Sequence, residues 1–339
     1  MSGVRVVFLS LLSVLGTLLA LEGTARLRGA DPPGLFPAAF IAGRAFVEPD
    51  AELGFRLAPG YADGLYGVNG AGFRGDPLPQ DIAERFTILC AGDSTTFGWL
   101  VPEGGDFPAQ LGRLLADRDG RVTVVNGGVP SFTSEQVLRK LRRDLPWLRP
   151  EIVIVTMPWN DLWYSALEAW QPDVLVPRVP ARWQSLLLRR SAFFSALAQV
   201  PEVKLRRNET AAEARTVFAA NVAAAIAAVR EAGATPVFQM PPFSPGNVPA
   251  PGIRFLPTGL QWDKPFLLAA AQQYADAFRA VATVREVRVQ ETPLFMAAAA
   301  LAHLFVDEIH PAAGGYARMA SDLRDALGAD RLLPPADAR

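Results

Sequence analysis

Cysteine and histidine are scarce in this chain of 339 residues. Cys90 is the one cysteine, so no disulfide can form within the chain. With only two histidines besides, there is little material for a zinc site built from Cys and His ligands. The charges balance, with 33 basic and 34 acidic residues and no block of one sign, which gives no indication of a nucleic-acid surface. We therefore expect no cofactor, no metal and no nucleic-acid partner.

One long apolar run is present, Val6–Leu21, behind Arg5 at the N-terminus. It is slightly shorter than the ~20 residues that cross a bilayer comfortably. It fits the apolar region of a signal peptide, a short membrane anchor through residues 4–21, or a buried core helix. No clear small-x-small cleavage pattern follows it, and the lack of a nearby cysteine excludes a lipoprotein anchor. We favour an uncleaved anchor over residues 1–28, with the rest of the chain exported.

Residues 29–85 are rich in proline and glycine and contain the turn signal Asn69-Gly70, which predicts a loop-dominated lead-in. From residue 86 to about 330, short apolar runs alternate with amphipathic helical patterns. Strands are predicted from RFTILCAG (85–92), RVTVVNGG (121–128), EIVIVTMP (151–158), TPVFQMPP (235–242) and, as a weaker fifth, VREVRVQE (284–291). Helices are predicted at 106–117, 134–145, 208–233, 264–282 and 312–327, with Ser134 as an N-cap. This alternation predicts an α/β three-layer sandwich with a mainly parallel sheet and a ligand site at the C-terminal strand ends.

An insertion, about 162–207, separates the third strand from the long helix and is broken early by three prolines. Its later part, RWQSLLLRRSAFFSALAQV (182–200), is aromatic and leucine-rich. We predict a helix packed on the core there. The alternative is a lid, or a surface that lies on the membrane near the anchor.

The stretch LCAGDSTTFG (89–98) places Asp93 and Ser94 directly after the first predicted strand. A serine in that strand-to-helix turn lies at the C-terminal edge of the sheet, where its hydroxyl can face a cleft. Helix capping is an equally common use of both residue types. The stretch alone leaves both interpretations open.

The stretch FVDEIHPAAGGY (305–316) places Asp307 three residues before His310, just ahead of the last predicted helix. A serine hydroxyl becomes an effective nucleophile when a base takes its proton, and histidine is the suitable base near neutral pH. A carboxylate one turn away can hold the second ring nitrogen. An ordinary surface loop is the alternative. His303, the other histidine, is interpreted as a packing or surface residue with no role.

Acyl transfer also requires hydrogen-bond donors for the developing oxyanion. Two strand ends supply candidates: NGGVPSFTS (126–134) and MPWND (157–161), where Asn160 offers its side-chain amide. Turn chemistry and helix capping are the simpler explanations for each segment. All these segments nevertheless fall at strand ends on the same predicted edge, which favours one shared site.

Most of residues 86–330 resembles the SGNH (GDSL-like) hydrolase family. Four of the family's sequence blocks, the first, second, third and fifth, are similar in order to GDSTTFG, NGGVPSFTS, WND and DEIHP. The stretch GFRG and the N-terminal anchor are similar to a subset of bacterial envelope members. The resemblance implies an SGNH/flavodoxin-like fold. It makes Ser94 the nucleophile, His310 the base and Asp307 its orienting carboxylate.

The resemblance also implies an oxyanion hole made by the Ser94 backbone N–H, a backbone N–H of the second block and Asn160. Two departures from the family pattern stand out. Ser131 occupies the usual glycine position of the second block, with Gly128 as the fallback donor. In the third block, proline replaces the glycine two positions before Asn160, and Trp159 follows it, so we expect Trp159 to narrow the pocket or to form an acyl- or sugar-facing wall.

These expectations combine into a membrane-anchored serine esterase of the cell envelope that hydrolyses acyl esters, O-acetyl groups among them, of a carbohydrate or lipid. An O-acyltransferase with the same site is the nearest alternative. A non-catalytic scaffold subunit of a membrane complex is the alternative of a different class, because a fold does not fix a function.

Overall fold

The computed structural model describes residues 2–28, 46–116, 121–157, 159–172, 191–197, 205–250, 252–253 and 262–335. Pro158 and most of the predicted helix at 182–200 lie outside these ranges. In chain order the elements are α1 (Ser2–Leu27), β1 (Val47–Asp50), β2 (Gly54–Leu57), β3 (Phe86–Gly92), α2 (Ser94–Phe97), α3 (Phe107–Leu114), β4 (Val122–Asn126), α4 (Ser134–Leu148), β5 (Ile152–Thr156), α5 (Trp159–Tyr164), α6 (Ala192–Leu197), α7 (Ala214–Glu231), β6 (Thr235–Gln239), β7 (Gly252–Ile253), β8 (Trp262–Asp263), α8 (Lys264–Val284), β9 (Arg288–Gln290) and α9 (Ala313–Ala329), with 3-10 turns at Ile82–Glu84 and Ala299–Leu304.

A five-stranded sheet forms the centre of the molecule, in the order β4-β3-β5-β6-β9. Every pairing in it is parallel, and all five strands fall in the predicted runs. The chain leaves β3 for β4 on one side and returns to β5 on the other. This reversal of direction at β3 is a topological switch point, and in such sheets ligands bind outside the carboxyl ends of the strands at that point.

Alternating side chains of the central strands feed two separate cores, because successive residues of a strand point to opposite faces. On one face, helices α4, α7 and α8 cover Leu89, Val125, Val153, Val155 and Phe238. On the other, helices α3 and α9 cover Ile88, Cys90, Ile152, Ile154 and Val237. The predicted three-layer α/β sandwich is thus confirmed. Cys90 is buried, and burial raises the pKa of its thiol.

The described part of the lead-in is more ordered than its proline and glycine content predicts. Strands β1 and β2 pair in antiparallel fashion. Four aromatic side chains bury themselves in the main core: Phe46, Phe55, Tyr66 and Phe73. The ring of Phe55 packs edge-on against Phe132 at 5.0 Å between centroids, which joins the lead-in to the loop after β4. Asn69 forms the predicted turn, since its Oδ1 accepts the N–H groups of Ala71 and Phe73.

Helix α1 is longer than the apolar run that predicts it. Its 26 residues span about 39 Å at 1.5 Å per residue, against about 30 Å of bilayer hydrocarbon. Within Gly3–Leu27, an unburied window of 18 residues has a mean hydropathy of 2.3, so by length and composition the helix is a candidate membrane anchor or signal sequence. Near its end, Glu22 accepts hydrogen bonds from Ser191 Oγ (2.7 Å) and from the N–H groups of Ala192 and Phe193 (both 3.1 Å). These bonds attach α1 to α6.

Candidate active site

Ser94 begins the helical turn α2 immediately beyond β3. Asp93 is the residue that caps this turn, with Oδ1 accepting the N–H of Thr95 at 2.9 Å. The capping and the chemical interpretations therefore apply to neighbouring residues, since Asp93 makes the cap and leaves the Ser94 hydroxyl for other contacts. Gly92 permits the sharp entry, because a Cβ there would lie 2.3 Å from both Thr156 O and Thr96 Oγ1.

His310 joins Ser94 across 216 positions of sequence. Its Nε2 lies 2.8 Å from Ser94 Oγ, and its Nδ1 lies 2.7 Å from Asp307 Oδ2. The second oxygen, Asp307 Oδ1, accepts the N–H groups of Ile309 (2.9 Å) and His310 (2.7 Å). The structure thus brings together the serine, histidine and aspartate singled out by the sequence, in the order hydroxyl, imidazole, carboxylate.

The two aspartates of the site have opposite ionisation behaviour. Burial opposes ionisation of Asp307, but the hydrogen bond and charge of His310 and two backbone N–H groups outweigh it, so the pKa of Asp307 lies below its ordinary value. Burial raises the pKa of Asp93 to about 6, only partly offset by Thr95 and His310. Asp307 is thus ionised at neutral pH, and it is the carboxylate in hydrogen-bond contact with His310 Nδ1.

The loop after β4 presents its main chain to Ser94. A Cβ on Gly128 would lie 2.2 Å from the backbone nitrogen of Phe97, so this glycine allows the loop to pack on α2. The Gly128 N–H already donates to Asn126 Oδ1 at 3.0 Å, which removes the fallback donor of the sequence prediction. Ser131 has φ +69°, the left-handed conformation that favours glycine. Its N–H meets no acceptor within the described part of the chain.

Asn160 lies at the same edge, in the first turn of α5. Its Nδ2 donates to Phe132 O at 2.9 Å and lies 3.4 Å from Asp93 Oδ2. It is 9 % exposed, close to the 8 % of Ser94. The Asn160 amide therefore lies beside the Ser94 turn and is hydrogen-bonded to the loop after β4.

The structure contradicts the expectation for Trp159 and agrees with the one for His303. The expectation that Trp159 lines the pocket is wrong: the ring is 1 % exposed, its Nε1 donates to Pro242 O at 3.1 Å, and it packs on Phe243. The Trp159 ring is part of the apolar core on that side of the sheet. His303 is an exposed residue whose Nδ1 lies 2.8 Å from Ala300 O, as its surface interpretation predicts.

Ser134 is not the N-cap of α4 as predicted. Helix α4 begins at Ser134 itself and Thr133 is the cap, with the Thr133 N–H donating to Gln136 Oε1 at 3.1 Å. The boundary moves because Asp161 accepts both the N–H (2.8 Å) and the hydroxyl (2.5 Å) of Ser134. Burial, with a smaller contribution from the nearby charge of Asp93, raises the pKa of Asp161 to about 7 in spite of these bonds.

Arg74 is a buried residue near the site that the sequence did not predict. Its guanidinium donates to the carbonyls of Phe97, Gly98 (2.6 Å) and Val101 (2.8 Å), directly after the Ser94 turn. Its Nε lies 3.6 Å from Asp106 Oδ2, and its charge sits over the Phe97 ring at 4.6 Å. The lead-in thus fixes the loop that follows the Ser94 turn. A lone arginine between glycines and an aromatic residue, in GFRG, was its only signal.

A parallel sheet with its switch point at β3, and a hydrogen-bonded series of Ser94, His310 and Asp307 beyond the strand ends, are features typical of hydrolases built on a three-layer α/β sandwich. The chain belongs to the GDSL-like lipase/acylhydrolase family, whose family model matches residues 90–318. A search among curated proteins gives no match.

Several solved structures are similar to this chain at a distance. The lipase/acylhydrolase from Enterococcus faecalis is 16 % identical with a TM-score of 0.47, covering 74 % of this chain and 99 % of its own. A psychrotrophic esterase from Pseudoalteromonas sp. is 13 % identical with a TM-score of 0.45, covering 73 % and 98 %. A GDSL-like lipase from Bacteroides thetaiotaomicron is 14 % identical with a TM-score of 0.42, covering 75 % and 93 %. Because these likenesses are distant, family membership rests on the match over residues 90–318.

Proposed function

We propose that this hydrolase is a membrane-anchored serine esterase of the cell envelope, in which Ser94, His310 and Asp307 carry out acyl transfer. The observation that supports it most is the hydrogen-bonded series itself. Ser94 Oγ lies 2.8 Å from His310 Nε2, and the other ring nitrogen lies 2.7 Å from Asp307. Both distances are within the reach required of a nucleophile, its base and the group that orients the base.

In the first half of the reaction, Ser94 Oγ attacks the ester carbonyl and its proton passes to His310 Nε2. Asp307 accepts a hydrogen bond from the Nδ1–H and stabilises the imidazolium that forms, without itself becoming protonated. His310 then gives its new proton to the departing alkoxide, which leaves as an alcohol and leaves the acyl group on Ser94. In the second half, His310 takes a proton from water, the hydroxide attacks the acyl carbon, and Ser94 recovers its proton.

The oxyanion of each tetrahedral intermediate requires donors already in place. We assign this role to the backbone N–H groups of Ser94 and Ser131 and to the side-chain amide of Asn160. The amide keeps its bond to Phe132 O, and its longer contact of 3.4 Å with Asp93 Oδ2 is the one that gives way to the oxyanion. Neither backbone N–H has an acceptor among the described residues, which leaves both for a ligand. Removal of one such donor lowers kcat by about 10²–10³ in serine hydrolases.

The proposed substrates are acyl esters of a carbohydrate or lipid in the envelope, O-acetyl groups among them. The helix α1 supports a location at a membrane, and we place the globular domain on its periplasmic or extracellular side. Glu22 accepts three hydrogen bonds from residues 191–193. These bonds support an anchor that is retained, because a signal peptide that is cleaved off makes no lasting contacts with the mature domain.

Labelling with a fluorophosphonate probe tests the proposal on the full chain in detergent micelles. We expect the wild type to be labelled and Ser94→Ala not to be. Ser321→Ala, a serine on α9 away from the site, serves as the matched control and keeps wild-type labelling. A folded wild type that stays unlabelled would instead favour the scaffold role.

The acyl acceptor separates hydrolysis from transfer, since both pass through the same acyl-serine. Turnover of an acetyl ester is measured with and without added oligosaccharide. Release of acetate alone supports the esterase, and acetylated sugar in proportion to the acceptor supports the O-acyltransferase.

A further inference from the structure

The loop after β4 contains a serine in a conformation that serine adopts at a cost. At φ +69°, Ser131 is in the left-handed region, which costs a residue with a side chain about 1–2 kcal/mol. Glycine reaches the same region freely. The loop must therefore be held there by contacts made elsewhere.

Helix α5 supplies those contacts through three side chains. The hydroxyl of Tyr164 donates to Ser131 O at 3.1 Å. One turn earlier, Asn160 donates to Phe132 O at 2.9 Å. The carboxylate of the next residue, Asp161, accepts the Ser134 N–H. The helix thus binds the loop at residues 131, 132 and 134, and the first of these bonds falls on the strained residue itself.

Tyr164 is well placed to impose a conformation. Its side chain is 3 % exposed, so the hydroxyl has little freedom to turn to water. Burial raises the pKa of its phenol, which keeps the hydroxyl protonated and a donor. Because a peptide unit is planar, fixing the carbonyl of Ser131 restricts the ψ angle of that residue and limits its escape from the left-handed region.

We propose that Tyr164 is a positioning residue that holds Ser131 in the left-handed conformation, and so replaces the conformational freedom that a glycine would give at this oxyanion donor. The role in turnover rests on the proposed function. The hold on the loop does not, because it is a property of the folded chain. Without the tyrosine hydroxyl, Ser131 returns toward the right-handed or extended regions and carries its N–H out of line.

A double-mutant cycle between the two positions tests this proposal. Tyr164→Phe removes the hydroxyl and keeps the ring, and Ser131→Gly removes the conformational cost. We expect Tyr164→Phe alone to lower kcat for an acetyl ester about tenfold, with KM within about twofold, which corresponds to one hydrogen bond. In the Ser131→Gly background, the same change is expected to cost about twofold, since glycine keeps the left-handed conformation unaided.

The matched control is Tyr316→Phe, a tyrosine of α9 that is fully buried and whose hydroxyl has no hydrogen-bond partner among the described residues. It should leave kcat within about twofold of the wild type. Equal losses from Tyr164→Phe in both backgrounds would overturn the proposal, as would a loss expressed in KM instead of kcat.

Urea unfolding of the same four proteins gives a readout that does not depend on catalysis. Tyr164→Phe should destabilise the chain that carries Ser131 more than the chain that carries Ser131→Gly. If the wild type is catalytically inactive, the proposed function fails while this coupling still decides the hold on the loop. Should Tyr164→Phe fail to fold, Ser131→Gly alone decides: raised stability supports the conformational cost, and unchanged or lower stability contradicts it.

Discussion

Asp307 binds His310 twice, through the side chain and through the main chain. One carboxylate oxygen lies 2.7 Å from the imidazole Nδ1, and the other accepts the backbone N–H of the same histidine, also at 2.7 Å. Asp307 therefore orients the ring of His310, and the backbone N–H of His310 in turn holds the Asp307 carboxylate in place. A spacing of three residues is what makes this closed arrangement possible.

Replacement of His310 by alanine is expected to remove the base and leave the fold intact. Turnover of an ester should fall by several orders of magnitude, since residual catalysis would come only from the oxyanion donors and binding. The measurement is kcat with an activated acetyl ester, beside thermal unfolding. His303→Ala is the matched control, because that histidine is exposed and makes only a local contact. Near-normal activity of His310→Ala would refute the proton-transfer assignment.

Arg74→Met should destabilise the protein by about 3 kcal/mol, because it leaves Asp106 and three carbonyls without their buried cation. Urea unfolding measures the change. Arg56→Met is the control, since Arg56 forms an exposed ion pair with Glu48 that is worth less than about 1 kcal/mol. Similar losses for the two variants would contradict a special role for Arg74.

Stability should fall as the pH rises from about 4 to 7. Folding raises the pKa of Asp161 to about 7 and that of Asp93 to about 6, from an ordinary value of 3.8. The folded state therefore binds more protons than the unfolded state across this window, which gives a negative slope of unfolding free energy against pH. Asp161→Asn should flatten the slope, measured by urea unfolding at several pH values. Asp276→Asn, on the exposed side of α8, should not. A slope that is unchanged in Asp161→Asn would refute the assignment.

Glu22→Gln should loosen the attachment of α1 to α6 by weakening three hydrogen bonds to a carboxylate. Chymotrypsin cleavage at Phe193 and Phe194, followed in detergent micelles, should become several-fold faster than in the wild type. Glu48→Gln, on β1, provides the control. Equal cleavage rates in all three proteins would show that the Glu22 contacts do not hold α6.

Cys90 should resist thiol reagents in the native protein, because it is fully buried and its thiol pKa is raised. The measurement is reaction with an aromatic disulfide, slow in buffer and complete in concentrated urea. Fast modification of the native chain would place Cys90 near solvent and contradict the sheet register around it.

The strands, the main helices and the Ser94, Asp307 and His310 set were predictable because they leave patterns in the sequence. Periodicity gives the elements, and a serine after a strand with a nearby Asp–His pair suggests the chemistry. Arg74 and Tyr164 left no such pattern. Their partners are main-chain carbonyls, which every residue type provides, so only the folded path of the chain brings them together. Trp159 was misplaced because its position beside Asn160 says nothing of the face it occupies.

The aromatic side chains of the lead-in also set the smallest unit that can fold. Burial of each of the four side chains of Phe46, Phe55, Tyr66 and Phe73 stabilises the fold by about 2 kcal/mol. Arg74, from the same segment, holds the loop after Ser94 by hydrogen bonds. A fragment cut at Phe86, where the parallel sheet begins, would lose all of them and uncover the far side of Phe132. A soluble derivative of this enzyme should therefore be shortened ahead of Phe46, between the apolar helix α1 and the first hairpin.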